Sequence, residues 1–228
     1  MTILVFPLSA QVLVSGPWED ELWRPRLEGN RTNQEVQTLF KESEKQALEL
    51  EPGIHRTLAL ARLGHIRATW YLDQSNPQQA EKELEGAESL LLPLLALKDA
   101  RVLGLMAEIR SGFLSIRGLP YIMGNAGDIE KLALEALSLD PKHPGATIVY
   151  AFGKINAPAL FGGDPDMGIR LLEPLVLRSD ILSYYRQVAL FGLIQAWEKK
   201  GDKVQRSRWV QSARNQYPTN KDFAKLAL

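Results

Sequence analysis

Apolar residues recur along most of the chain with the period of an α-helix. Between residues 34 and 50, apolar side chains at positions 36, 39, 40, 47 and 50 fall at helical spacings, and polar and charged side chains fill most of the positions between them. This spacing places the apolar residues on one helix face. Proline, glycine, asparagine and aspartate interrupt the pattern and predict where helices end. We predict helices over residues 34–50, 54–72, 78–97, 99–116, 122–139, 146–156, 166–177, 181–200 and 204–216.

This pattern favours an all-α fold. Beyond the N-terminal segment, β-branched residues are sparse, and no stretch alternates between apolar and polar residues as a half-buried strand does. Gly118-Leu119-Pro120 predicts a break between two of the helices, because proline lacks the N–H that a helix interior requires.

Residues that can cap helices recur after the turns. We predict N-caps at Asn76, Asp128, Asp164 and Asp202, because a short side chain with an oxygen atom can accept a backbone N–H of the first turn. The last three are separated by 36 and 38 residues. A period of this size predicts stacked pairs of helices, each of ~34 residues or slightly more.

The clearest turn contains two prolines and two glycines. Pro158 disfavours continuation of the preceding helix, and Gly162 and Gly163 allow backbone angles that other residues resist. Asp164 can cap the next helix, and Pro165 fits its first position. We therefore predict a structural turn at this segment rather than a chemical site.

The composition is ordinary for a globular protein with a substantial core. Of the 228 residues, 45% are apolar and 24% are charged. The 27 basic and 27 acidic residues give a formal net charge of zero, which does not favour nucleic acid as a partner. The absence of cysteine excludes disulfides, thiolate metal sites, a cysteine nucleophile and a lipidated cysteine in this chain.

The N-terminal segment has two interpretations. Residues 3–14 are mostly apolar, and residues 7–11 (PLSAQ) resemble the end of a secretory signal, although no basic region precedes them. They are either the remnant of a signal, which predicts a periplasmic protein, or an apolar arm packed on the domain, which leaves a cytoplasmic protein. The run is too short to span a bilayer, and charges interrupt every other apolar run, so we predict no membrane span.

Three segments resemble tetratricopeptide repeats. Residues 133–146 (ALEALSLDPKHPGA) are similar to the second helix of such a repeat and its exit, and residues 189–202 are similar to a first helix and the turn after it. Residues 157–173 (APALFGGDPDMGIRLLE) resemble bacterial tetratricopeptide-like proteins, including the component associated with some periplasmic TRAP transporters. The resemblance covers residues 34–217.

This resemblance implies a right-handed α-α superhelix of helical hairpins. The repeat domain would cover residues 32–218. It would follow an N-terminal arm at residues 1–31 and precede a C-terminal tail at residues 219–228.

The chain offers little that points to catalysis. His55 and His65 lie ten residues apart and lack the spacing of a zinc pair, and His143 lies between two prolines in a turn. A nucleophile elbow, a phosphate-binding loop and a dinucleotide fingerprint are all absent. We predict no catalytic residue, no metal and no cofactor, and a protein that is not an enzyme.

Six aromatic residues lie on the predicted first helices of the pairs, which line the concave surface in helical solenoids. Tyrosine and tryptophan are good anchors because they bury a large area at low entropic cost. They either contact a partner in the groove or fill contacts between helices. The candidate partner-binding residues are Trp70, Tyr71, Tyr150, Tyr184, Tyr185 and Trp197.

Two functions are consistent with this pattern. The first is a non-catalytic scaffold whose groove binds a protein or peptide. The alternative is a periplasmic, transporter-associated helper that binds a small apolar ligand or a solute-binding protein. The alternative depends on the signal-like N-terminus and on the resemblance.

Overall fold

The computed structural model describes residues 17–227, and this part of the chain is almost entirely helical. It contains ten α-helices and two short 3₁₀ segments, Leu92–Leu97 and Ala159–Phe161. These residues contain no strand, so the all-α prediction is confirmed. The signal-like residues 3–14 lie outside the described part. The helices are α1 Pro17–Glu28, α2 Asn33–Glu49, α3 Ile54–Asp73, α4 Pro77–Leu91, α5 Ala100–Leu139, α6 Pro144–Asn156, α7 Pro165–Leu177, α8 Ser183–Lys199, α9 Lys203–Gln216 and α10 Lys221–Lys225.

Most of these helices begin at a residue whose own side chain accepts a backbone N–H of the first turn. Asn76, Asp164 and Asp202 do this for α4, α7 and α9, at positions where the sequence predicts caps. Thr32 caps α2 through a reciprocal capping box with Glu35. Such caps satisfy N–H groups that have no partner inside the helix. The caps of α5, α6 and α10 are Asp99, His143 and Asn220.

The prediction of a cap at Asp128 is wrong. Asp128 is exposed and lies inside α5, which continues to Leu139 without a new start. The residues around it, Gly124 to Gly127, keep helical geometry, and Tyr121 before them and Leu132 after them pack against the same core cluster. The cap-to-cap spacing of 36 residues from Asp128 to Asp164 therefore does not mark a repeat.

Helix α5 turns back on itself at Gly118. Gly118 has φ 70° and ψ −165°, a backbone conformation outside the helical region. Leu103 on one side and Ala133 on the other belong to the same buried cluster. In a straight helix these two residues would lie about 45 Å apart, at 1.5 Å per residue. The predicted break at Gly118-Leu119-Pro120 thus makes a hairpin of the two halves of α5.

The turn between α6 and α7 contains the residues predicted for it. Pro158 follows the last residues of α6, and Gly162 has φ 81°. Gly163 packs so tightly that a side-chain carbon there would lie 1.9 Å from the carbonyl oxygen of Ala157. Asp164 accepts the N–H of Met167 at 2.9 Å, and Pro165 is the first residue of α7.

Replacing Asp164 with alanine tests this cap. We expect the free energy of unfolding, measured by urea denaturation, to fall by about 1 kcal/mol because the first turn of α7 loses its acceptor. Asp128→Ala is the matched control, since it removes an exposed aspartate that caps nothing, and it should change stability by less than about 0.5 kcal/mol. Equal losses in the two variants would contradict the assignment of the cap.

The helices from α3 to α9 pack against their neighbours in chain order. Helices two positions apart also touch, α3 with α5 and α6 with α8. Their buried faces form three successive core clusters. The first joins α3, α4 and α5, the second joins α5 and α6, and the third joins all the helices from α6 to α10. A further cluster joins α1, α2 and α3. The core therefore runs along the series of helices instead of gathering at one centre.

Candidate functional site

Helix α1 connects parts of the chain that are distant in sequence. It packs against α2, α3, α8 and α10. Leu22, Trp23 and Leu27 form its buried face, since residues about one turn apart share one side of a helix. The area of α3 and α8 beneath this face is called the α1 surface here. It consists of Arg62, Leu63, His65, Ile66, Ser183 and Tyr184.

Trp23 is the apolar anchor of α1. Its side chain is completely buried. Its ring stacks on Tyr184 with a centroid distance of 3.6 Å and an angle of 2° between the planes, and it meets His65 edge-on at 5.7 Å. Its indole N–H points to Oε1 of Glu19 at 3.5 Å. One side chain of α1 thus touches both α3 and α8.

Asp20 caps the N-terminus of α8 from another helix. The N-cap position of α8 is Leu182, whose side chain has no acceptor. The two carboxylate oxygens of Asp20 instead accept the N–H groups of Ser183 and Tyr184, each at 3.1 Å. A carboxylate is favoured here because the N-terminus of a helix carries partial positive charge.

A buried ionic cluster lies beside Trp23, with one residue each from α1, α3, α5 and α8. Arg62 donates to both oxygens of Glu108, at 2.7 and 3.0 Å, and to the hydroxyl of Tyr185 at 2.9 Å. The Nε of Arg62 lies 3.2 Å from Oε1 of Glu19. The side chains of Glu19 and Glu108 are 2% and 6% exposed. Arg62 therefore contacts two buried carboxyl groups at the same time.

Arg62 affects the pKa values of the two carboxyl groups to different extents. Burial raises the pKa of Glu108, but the charge and hydrogen bonds of Arg62 outweigh it and hold that pKa below its usual value. Burial raises the pKa of Glu19 to about 7, and the lowering by Arg62 is too weak to offset it. The negative charge of Glu108 raises the pKa of Glu19 further. Glu19 is thus the carboxyl group of the pair that titrates near neutral pH, and it forms an ion pair with Arg62 when it is charged.

Two histidines lie next to this cluster without taking a proton. Burial lowers the pKa of His65 to about 4 and also lowers that of His143. Nδ1 of His143 accepts the N–H of Ala146 at 3.1 Å and so caps α6. A side-chain carbon at Gly145 would lie 2.0 Å from Oε1 of Glu108, so glycine is needed for α6 to approach the cluster.

Four of the six predicted partner-binding aromatics lie around α1. Tyr184 is under Trp23, and the hydroxyl of Tyr185 belongs to the ionic cluster. Trp70 is buried in the core cluster that contains Trp23, and Tyr71 packs against that cluster. These aromatic residues are thus brought together, and the chain's own first helix contacts or adjoins them.

The other two predicted aromatics lie elsewhere. The hydroxyl of Tyr150 points to the sulfur of Met167 at 3.8 Å, and Nζ of Lys154 lies 5.1 Å from its ring centre. Trp197 is partly buried near the end of α8, with Nζ of Lys200 4.9 Å from its ring centre. The structure does not place either residue at the α1 surface.

Sequence reasoning found the tyrosines of the site but missed its charged residues and its tryptophan. Glu19 and Trp23 lie in the segment interpreted as an arm, and Arg62 and Glu108 look like ordinary polar positions of amphipathic helices. The sequence does contain one signal of a helix here. Pro17 is followed within three residues by Glu19 and Asp20, and proline and acidic residues both favour the first turn of a helix.

A separate groove of about 560 Å³ lies between the end of α5, α6, α7 and the segment after α7. Its lining includes Leu137, Leu171 and Leu175 together with Arg170 and Arg178. Its volume is in the range of small-molecule sites. It shares no residue with the α1 surface.

Comparison with protein-family models finds no match to this chain, and comparison with curated proteins finds no significantly similar sequence. Within residues 17–227, no helix has both the length and the apolar character needed to cross a membrane. The same residues contain no group of three or more histidine, aspartate and glutamate side chains placed to hold a metal ion.

Proposed function

We propose that this protein is a non-catalytic scaffold of tetratricopeptide-like helix pairs that binds a helix of a protein partner. The observation that carries the proposal is α1 itself. It is a helix bound across α3 and α8 through an aromatic stack, a buried ion pair and a carboxylate cap. A surface with these three features is suited to holding a helix by one face.

The arrangement of the helix pairs supports a repeat scaffold. First helices begin at Ile54, Ala100, Pro144 and Ser183. The intervals between these starts are 46, 44 and 39 residues. They exceed the ~34 residues of a standard tetratricopeptide repeat, which implies longer helices or turns. Contacts of α3 with α5 and of α6 with α8 are those expected when first helices stack side by side. We propose that the pairs are arranged as a right-handed superhelix, as the resemblance to tetratricopeptide repeats implies.

The state of the buried charges supports a structural role for them. Glu19 and Glu108 are both paired with Arg62, and Tyr185 bonds to the same guanidinium. His143 uses its unprotonated nitrogen to cap a helix. The groups that would be candidates for acid–base chemistry are therefore engaged in holding α1, α3, α5, α6 and α8 together.

The proposal is tested by site-specific photo-crosslinking in the native cell. A benzophenone amino acid replaces Tyr71 at the edge of the α1 surface, and in a control chain it replaces the exposed Gln211 of α9. We expect position 71 to crosslink one partner through a helical segment, and position 211 not to capture that partner. Crosslinking of the same proteins from both positions, or none from position 71, would contradict the proposal.

A further inference from the structure

We infer that the α1 surface selects helices with the pattern Glu-Asp-x-Leu-Trp-x-x-x-Leu, and that α1 is its occupant within the chain. This inference rests on the proposed function and specifies the partner. The pattern corresponds to residues 19–27, in which each fixed position meets its own contact. The partner is thus an amphipathic helix with two acids in its first turn and a tryptophan one turn later.

Each acid of the pair contacts a different part of the α1 surface. The first acid meets the Nε of Arg62 at 3.2 Å, deep in the protein. The second meets two backbone N–H groups at the start of α8. A lysine or arginine at either place would face a cation or the positive end of a helix. The surface therefore discriminates by charge as well as by apolar fit.

The need for the second acid is built into α8. Seven helices of the described residues receive a side-chain cap from their own N-cap residue. Helix α8 does not, because Leu182 occupies that position. Its first N–H groups find their acceptor on a separate helix. Helix α1 thus supplies the N-terminal cap that α8 lacks.

The tryptophan supplies the aromatic contact of the pattern. It is completely buried between Tyr184 and His65, whereas the neighbouring Arg24 is exposed. Tryptophan is enriched among the interface residues whose truncation weakens binding most. The leucine at position 27 extends the same buried face.

Helix α1 is suited to exchange with such a partner. It has 12 residues, and isolated helices of this length are marginal in water. Its helical state therefore depends on docking. It joins α2 through exposed Gly29 and Asn30, of which Gly29 has φ 64°. A partner helix with the same pattern can occupy the surface when α1 leaves.

The test is fluorescence anisotropy with a labelled peptide of residues 17–31 and the full chain. In the receiving chain, Asp20→Asn and Trp23→Ala weaken α1. We expect saturable binding, at least about tenfold tighter than to the unsubstituted chain, in which α1 competes for the surface. If circular dichroism shows that the doubly substituted chain has lost helix, the Asp20→Asn chain takes its place.

Substitutions in the peptide test the pattern. Asp20→Asn in the peptide should weaken binding about tenfold, and Trp23→Ala about a hundredfold, while Arg24→Ala should leave it unchanged. Absence of saturable binding, or equal binding of all peptides, would overturn the inference. A concentration-dependent dimer of the unsubstituted chain in light scattering, if Trp23→Ala abolishes it, would show that a second copy occupies the surface and would overturn the assignment to another protein.

The two proposals can fail separately. If position 71 crosslinks a partner through a helix that lacks the acidic pair and the tryptophan, the scaffold proposal stands and the inferred pattern is wrong. If the peptide binds as expected but position 71 captures no partner in the cell, the surface recognises this helix and the scaffold proposal fails.

Discussion

Replacing Arg62 with alanine is expected to lower the free energy of unfolding by about 3–5 kcal/mol. The change removes the only positive charge that contacts Glu19 and Glu108 within the buried cluster, at 3.2 and 2.7 Å. Two carboxylates are then left in the interior without a cation, and one of them must take up a proton or draw in water. Typical domains are stable by only 5–15 kcal/mol, so a loss of this size is readily measured by urea denaturation followed by circular dichroism.

Arg67→Ala in the same helix is the matched control. Arg67 is also partly buried, but its close partner Glu44, at 2.7 Å, is 44% exposed. Ion pairs that are open to water contribute little, so we expect a loss nearer to 1 kcal/mol. If Arg62→Ala cost no more than Arg67→Ala, the buried cluster would not be a stabilising element of the fold.

Glu19→Gln is expected to change the pH dependence of stability. The pKa of Glu19 is raised from 4.5 in the unfolded chain to about 7 in the folded protein, mainly by burial. Folding therefore takes up a proton between these two values. The stabilisation from Glu19 is fully present below pH 4.5 and is lost as the pH rises through about 7. Glutamine cannot titrate, so the variant lacks this dependence.

The measured quantity is the difference in unfolding free energy between the unsubstituted protein and Glu19→Gln. From pH 4.5 to pH 8 this difference should move by about 3 kcal/mol in favour of the glutamine variant. Because the pKa of His65 is lowered, His65 decreases the stability of both proteins as the pH falls, which is opposite to the effect of Glu19. The contribution of His65 cancels when the two free energies are subtracted. Glu21→Gln, at a half-exposed residue of the same helix, is the control for removing a carboxylate from α1. A flat difference for Glu19→Gln would contradict the raised pKa.

The helices could be predicted from the sequence because their signals are local. Pro52-Gly53, Asn76-Pro77 and Asp164-Pro165 combine a helix end or a cap with proline, and each stands at a boundary in the structure. Asp128 shows where local signals fail. Glycine followed by aspartate has the same composition as a cap, but the helix continues because the apolar pattern on both sides packs on the same core.

The candidate site could be predicted only in part because its contacts are not local. Arg62 and Glu108 are 46 residues apart, and Asp20 and Ser183 are 163 apart. In an amphipathic pattern, a buried arginine such as Arg62 cannot be told apart from an arginine that is exposed to water. The sequence predicts Tyr184 and Tyr185 as aromatic anchors, but no pattern around them shows that Trp23 stacks on Tyr184 or that Arg62 donates a hydrogen bond to Tyr185.

The distance between α1 and the other helices in solution shows directly whether α1 is held on its surface. The chain has no cysteine, so two spin labels can be attached at Arg24→Cys on α1 and Gln211→Cys on α9, both at exposed positions. Pulsed electron–electron double resonance then gives the distribution of distances. We expect one narrow distribution, which broadens when Asp20→Asn and Trp23→Ala are added and stays narrow with Glu21→Gln. A broad distribution before any of these changes, or one that Asp20→Asn and Trp23→Ala leave narrow, would contradict the claim that these two residues hold α1 on its surface.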